Sequence, residues 1–127
     1  MTRARRIVRF AALVLLGFKV WSSPAPAHSV PERFEPRRGE VLRSAPAEVR
    51  IRFDGDIEPA FSTIQVSDAA GRRVDKGDGR VDERNRRLLR VSLGALGQGV
   101  YRVAWQIMAI DGHRGEGSYT FTVKSSG

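Results

Sequence analysis

Apolar residues recur at every second position in five stretches of this chain. That period confines each stretch to an extended strand with one buried face. Val49, Ile51 and Phe53 alternate with Arg50 and Arg52, and Ile64 and Val66 alternate with Thr63 and Gln65. Leu89, Val91 and Leu93 alternate with Arg90 and Ser92. The longest run places Tyr101, Val103, Trp105 and Ile107 on one face and ends at Met108. The last places Tyr119, Phe121 and Val123 inward, with Ser118, Thr120 and Thr122 outward. Turn residues separate the runs, notably Asp68-Ala69-Ala70-Gly71 and the glycines from Gly94 to Gly99. Residues 74–87 are polar and irregular, which reads as a long loop or a weak hairpin. No segment carries the period of an amphipathic helix, and there are no internal repeats. The expectation is one all-β domain, an antiparallel β-sandwich or a small barrel, with the period-two aromatics in its core.

The first 27 residues read as a secretory signal peptide rather than as structure. Arg3, Arg5, Arg6 and Arg9 precede an apolar run over residues 10–18, and Ala25-Pro26-Ala27 supplies the small-residue cleavage site. The run is too short to cross a bilayer, which takes about 20 residues. Lys19 interrupts it, and a retained anchor is the alternative. Cleavage after Ala25 would leave Pro26 first, which processing disfavours, so the expected cut follows Ala27 and makes His28 the new amino terminus. The expected organisation is therefore 1–27 leader and 28–127 a single domain, exported to the periplasm and not membrane-spanning once processed.

The leader holds five of the 22 basic residues and none of the 14 acids, so its removal lowers the formal net charge from +8 to +3. What remains is arginine-rich but interleaved with acids. That pattern reads as a solvated surface, including the pairs Arg37-Arg38 and Arg72-Arg73, and not as a nucleic-acid footprint. Glu58 and Glu116 read as surface carboxylates. The chain has no cysteine, so an exported domain of this size must rely on packing or on a ligand. The same absence excludes blue-copper sites and cysteine-based zinc sites.

Two histidines occur, His28 and His113. After cleavage His28 offers an α-amine and an imidazole that can close a six-membered chelate ring. His113 follows Asp111 and Gly112 between the two strongest strand patterns, in a turn where Gly112 lets its neighbours converge. Together His28, Asp111 and His113 offer three nitrogens and one oxygen, a donor set suited to tetragonal Cu(II). Taken singly each signal has an ordinary reading: Asp-Gly is a favoured turn dipeptide, and a histidine beside a cleavage site is commonly incidental.

A longer pattern joins these residues. It runs His28…Pro36-x-x-Gly39-x-x-Leu42-x-x-x-Pro46, then Val49-x-Ile51-x-Phe53 and Phe61-Ser62. It continues Gly99-x-Tyr101-x-Val103-x-Trp105, Asp111-Gly112-His113 and Gly117-x-Tyr119-x-Phe121-x-Val123. This pattern resembles the CopC family of exported copper-binding proteins across the whole expected mature chain. The resemblance implies an immunoglobulin-like Greek-key β-sandwich of about seven strands that binds Cu(II), one per chain, in copper resistance, sequestration or delivery. By carry-over, His28 (amine and imidazole), Asp111 and His113 are the Cu(II) ligands. It also implies an inner-membrane copper transporter of the CopD type as partner; the protein itself is expected to be a monomer and not an enzyme.

The chain departs from that pattern in three places. Relatives with a Cu(I) site use a methionine-rich segment, whereas residues 66–80 contain no methionine and the only one after the leader is Met108. Cu(I) selects soft sulfur ligands, so a Cu(I) site is not expected. Some relatives carry a glutamate near the metal where this chain has Gly55, flanked by Asp54 and Asp56, either of which is a candidate to reach the site. Ala109 and Ile110 stand before the Asp-Gly-His motif where many relatives have a serine, which removes a hydrogen bond of the kind that tunes affinity. Two other function classes share these features: a copper-dependent oxidative enzyme using an N-terminal histidine brace, and a metal-free immunoglobulin-like interaction domain.

Overall fold

The computed structural model describes residue 17 and residues 29–124. The rest of the expected leader, His28 and residues 125–127 lie outside the described residues. Eight strands form: β1 Pro31–Glu35, β2 Val41–Leu42, β3 Glu48–Phe53, β4 Thr63–Ser67, β5 Arg80–Asp82, β6 Asn85–Ser92, β7 Gly99–Met108 and β8 Arg114–Val123. They make two four-stranded sheets, ordered β1-β3-β6-β5 and β2-β8-β7-β4. The expected sandwich is what the alternation builds. All pairings are antiparallel except that of the two-residue β2 with β8, which is parallel. The only helical turn among the described residues is a short 3-10 segment, Pro59–Phe61.

The inward positions predicted from the sequence close the core. Val49, Ile51, Phe53, Val66, Leu89, Val91, Val103 and Phe121 are fully buried, each worth about 1.5–3 kcal/mol of transfer free energy. Phe53 meets Trp105 edge to face at 5.4 Å, joining one sheet to the other. Tyr101 stacks on Phe121 at 5.5 Å, and its hydroxyl donates to the Gly97 carbonyl at 2.6 Å. A tyrosine at the start of a strand bonding back to upstream backbone is a corner device of immunoglobulin-like sandwiches.

Residues 74–87 form the weak hairpin of the two readings, with β5 and the start of β6 as its arms. The stretch leading into β5, from Arg73 to Asp75, shields the outer edge of β4, a position that would otherwise invite strand pairing. Val74 donates its amide to the Val66 carbonyl at 2.9 Å, and the Val66 amide donates to Asp75 Oδ2 at 2.8 Å. Both members of the Arg72-Arg73 pair are exposed, as expected, and each reaches an acid: Arg72 lies beside Asp68, and Arg73 makes two bonds, at 2.8 and 2.7 Å, to the fully buried Asp75 side chain. Loop folding, which alternation does not encode, brings that acid to the arginine.

Candidate metal centre

The longest strands build the site. β7 and β8 pair without a break from Gly99↔Val123 to Met108↔Arg114. The hairpin then closes through two more bonds, Ala109 N–H to the His113 carbonyl at 2.8 Å and Gly112 N–H to the Ala109 carbonyl at 2.9 Å. Gly112 has φ +88°, a left-handed conformation that suits glycine and lets the three-residue loop turn. Asp111 and His113 therefore sit at the hydrogen-bonded tip of the β7–β8 hairpin.

The carboxylate and the imidazole face each other. Asp111 Oδ1 accepts the His113 amide at 3.0 Å, and Asp111 Oδ2 lies 2.8 Å from His113 Nδ1. The first contact is an Asx turn, a common use of aspartate before glycine. The second is not required by the turn, and it orients the ring. The side chains are 28% and 60% exposed respectively, so the pair is open to an ion from solvent. Among the described residues no group of three or more His, Cys, Asp or Glu side chains is gathered closely enough to hold a metal. The hairpin tip thus supplies two donors, and a complete site needs more from elsewhere in the chain.

The start of the described chain reaches the same place. Ser29, Asp54, Asp56, Arg87, Ile110 and Asp111 line one shallow cleft. The loop after β3 forms its floor and is zipped to both sheets. Ile57 donates its amide to Arg86 at 2.9 Å and bridges Ala109, while the Glu58 amide donates to Met108 at 2.8 Å. Of the two aspartates weighed from sequence, Asp54 Oδ1 accepts the Val30 amide at 2.7 Å and Asp56 Oδ1 accepts from Arg87 Nε at 3.4 Å. Gly55 lies against Ser29: a Cβ there would stand 2.9 Å from Ser29 Oγ. His28, the third predicted ligand, is outside the described residues and precedes Ser29 in the chain.

Met108 pairs with Arg114 on the outer face of its sheet, whereas Ala109 and His113 continue the inward register. Glu116 is exposed on that same outer face, and Glu58 is half-buried.

The pattern of the CopC domain matches residues 32–124. This chain belongs to the CopC family. Over 98 residues it is 33% identical to the copper transport protein CutJ of Bacillus subtilis, a match taking in 76% of this chain and 18% of that much longer protein. Protein YobA of Escherichia coli strain K12 is 27% identical over 125 residues, covering 98% of this chain and 100% of YobA. Among solved structures, CopC from Methylosinus trichosporium OB3b superposes with a TM-score of 0.69 at 32% identity, covering 79% of this chain and 97% of that one. PcoC, a methionine-rich copper resistance protein from Escherichia coli, shares the fold with a TM-score of 0.64 at 24% identity, covering 76% and 99%. The family match spans every described strand after the first residue of β1, and the sandwich is the fold of this CopC-family chain.

Proposed function

We propose that this CopC-family protein is an exported Cu(II) carrier that takes one Cu(II) per chain as its cargo, in the periplasm, once residues 1–27 have been removed. The ligands are the amine and imidazole of His28, the Asp111 carboxylate and the His113 imidazole. The observation that carries the reading is the hairpin tip itself: Asp111 and His113 are paired at 2.8 Å, and Asp111 shares the lining of one cleft with Ser29, the residue after His28. A carboxylate and imidazoles suit Cu(II), and the relatives named for copper transport and copper resistance share this domain.

Cu(II) rather than Cu(I) is favoured by the sulfur inventory. Residues 66–80 hold no methionine, and that segment is occupied by the Asp75–Arg73 clamp. Met108 pairs with Arg114 on the outer face of its sheet. Binding without catalysis is favoured because Tyr101, Trp105, Tyr119 and Phe121 are buried, leaving Phe61 as the exposed large aromatic among the described residues and no broad stacking surface for a polymer. No helix among the described residues is long and apolar enough to cross a membrane. Hand-off to a membrane-embedded copper transporter of the CopD type completes the reading, since in CutJ the matching stretch is part of a longer protein named for copper transport.

The test is a Cu(II) titration of the processed protein against a form carrying one extra residue before His28. The processed form should bind more tightly, and both should weaken as pH falls because protons compete for amine and imidazole. Equal affinity in the two forms would sink the amino-terminal chelate.

A further inference from the structure

The two residues that follow position 28 are held by a clamp that the ligand set does not use. Val30 and Asp54 continue the β1–β3 ladder, with the Asp54 amide donating to the Val30 carbonyl at 2.9 Å. The reciprocal bond is different: the Val30 amide donates to the Asp54 side chain, at Oδ1, at 2.7 Å. The carboxylate, not the ladder, therefore fixes where strand pairing stops and how the chain enters the cleft. One residue earlier, Ser29 Oγ donates to the Asp56 carbonyl at 3.0 Å. Gly55 makes room for this, since any side chain there would press on Ser29 Oγ. The loop that carries the clamp is tied to the metal hairpin through the Ile57–Ala109 bridge and the Glu58–Met108 bond. Arm and hairpin tip are thus registered to each other through residues 54–58.

We propose that Asp54 is a positioning residue for the amino-terminal metal ligand. By fixing Val30 at the end of the ladder, it keeps the chain at the cleft that Ser29 and Asp111 line and lowers the chain entropy that His28 must lose when its amine and imidazole close on the ion. This inference rests on the amino-terminal chelate proposed above. Ordering one or two backbone residues at the moment of binding weakens an affinity by on the order of tenfold, and that is the effect the clamp removes.

The experiment compares processed wild type, Asp54→Ala, Asp54→Asn and the form extended before His28. Cu(II) affinity is read by competition with a chromophoric chelator, and exchange of the Val30 amide is read by NMR on the metal-free protein. Asp54→Ala should bind Cu(II) about tenfold more weakly and expose the Val30 amide, with the nitrogen count in the Cu(II) EPR spectrum and the thermal midpoint unchanged. Asp54→Asn keeps an oxygen acceptor for Val30 and should recover both protection and affinity. Wild-type affinity in Asp54→Ala with an exposed Val30 amide overturns the proposal. So does an Asp54→Asn variant that protects Val30 yet binds as weakly as Asp54→Ala, because the effect would then belong to the charge. If the extended form binds as tightly as the processed one, the chelate fails and the positioning role falls with it, an outcome distinct from a normal chelate indifferent to Asp54.

Discussion

Asp111 holds His113 at two points, accepting its amide on Oδ1 at 3.0 Å and facing its Nδ1 from Oδ2 at 2.8 Å. The contact puts one carboxylate and one imidazole side by side on the hairpin tip, the two donors that the proposed Cu(II) site takes from it. Asp111→Asn removes the anionic oxygen donor and disturbs the two contacts that Asp111 makes with His113. Cu(II) affinity should then fall roughly 10- to 100-fold, through the lost carboxylate donor and the loosened imidazole. An unchanged affinity, measured by chelator competition, would remove Asp111 from the site.

A second prediction concerns the space over Gly117, where Trp105 lies. A Cβ at position 117 would stand 2.6 Å from Cζ2 and 2.8 Å from Cε2 of the indole, closer than side chains pack. Gly117→Ala should therefore cost about 1–3 kcal/mol of stability as the ring or backbone shifts. Trp105 is the only tryptophan after the expected leader, so urea unfolding followed by its fluorescence reads both the loss and any change in the ring's environment.

The strands that face a filled core were legible because burial at every second residue leaves no other regular structure available. The hairpin tip was legible too, through Asp-Gly between two strong alternations. β1 was not: of Pro31–Glu35 only Phe34 is a large apolar residue, and the strand exists because it pairs with β3. The two residues of β2 are likewise defined by their partner. The Asp54–Val30 clamp spans 24 residues and depends on the register of β1 against β3. Arg73 and Asp75 are near in sequence, but whether they meet or face water depends on how the loop folds over β4. What sequence hid was partner choice, which is settled by tertiary register and not by local pattern.

Two buried tyrosines should respond oppositely to loss of their hydroxyls. Tyr101 donates to the Gly97 carbonyl at 2.6 Å, so Tyr101→Phe leaves that acceptor short and should cost about 1 kcal/mol. The Tyr119 hydroxyl is buried without a hydrogen-bond partner among the described residues, and burial pushes its pKa up from the ordinary value. Tyr119→Phe removes a polar group that gains nothing in the core, so it should be neutral or slightly stabilising. Equilibrium unfolding of the two variants decides; an equal loss in both would contradict the assignment.

The buried Asp75 carboxylate gives the fold a pH dependence whose sign can be worked out. Burial alone would raise its pKa, but the bonds from Arg73 and from the Val66 and Gly77 amides outweigh that and hold it below the ordinary value of 3.8. A depressed carboxyl binds its proton less readily folded than unfolded, so its stabilising contribution is complete above the unfolded value and is lost as pH falls through the folded one. At neutral pH Asp75→Asn should be less stable by about 2 kcal/mol, since charged hydrogen bonds to Arg73 are replaced by weaker ones. Below the ordinary carboxyl value the wild type should lose stability faster than the variant, and the two should converge. Asp68, Asp78 and Asp82 are also held low, but they are common to both proteins and cancel in the difference. Urea midpoints of the pair from neutral pH down to strongly acidic pH measure it. A difference that stays constant with pH would mean that Asp75 does not titrate as the clamp requires.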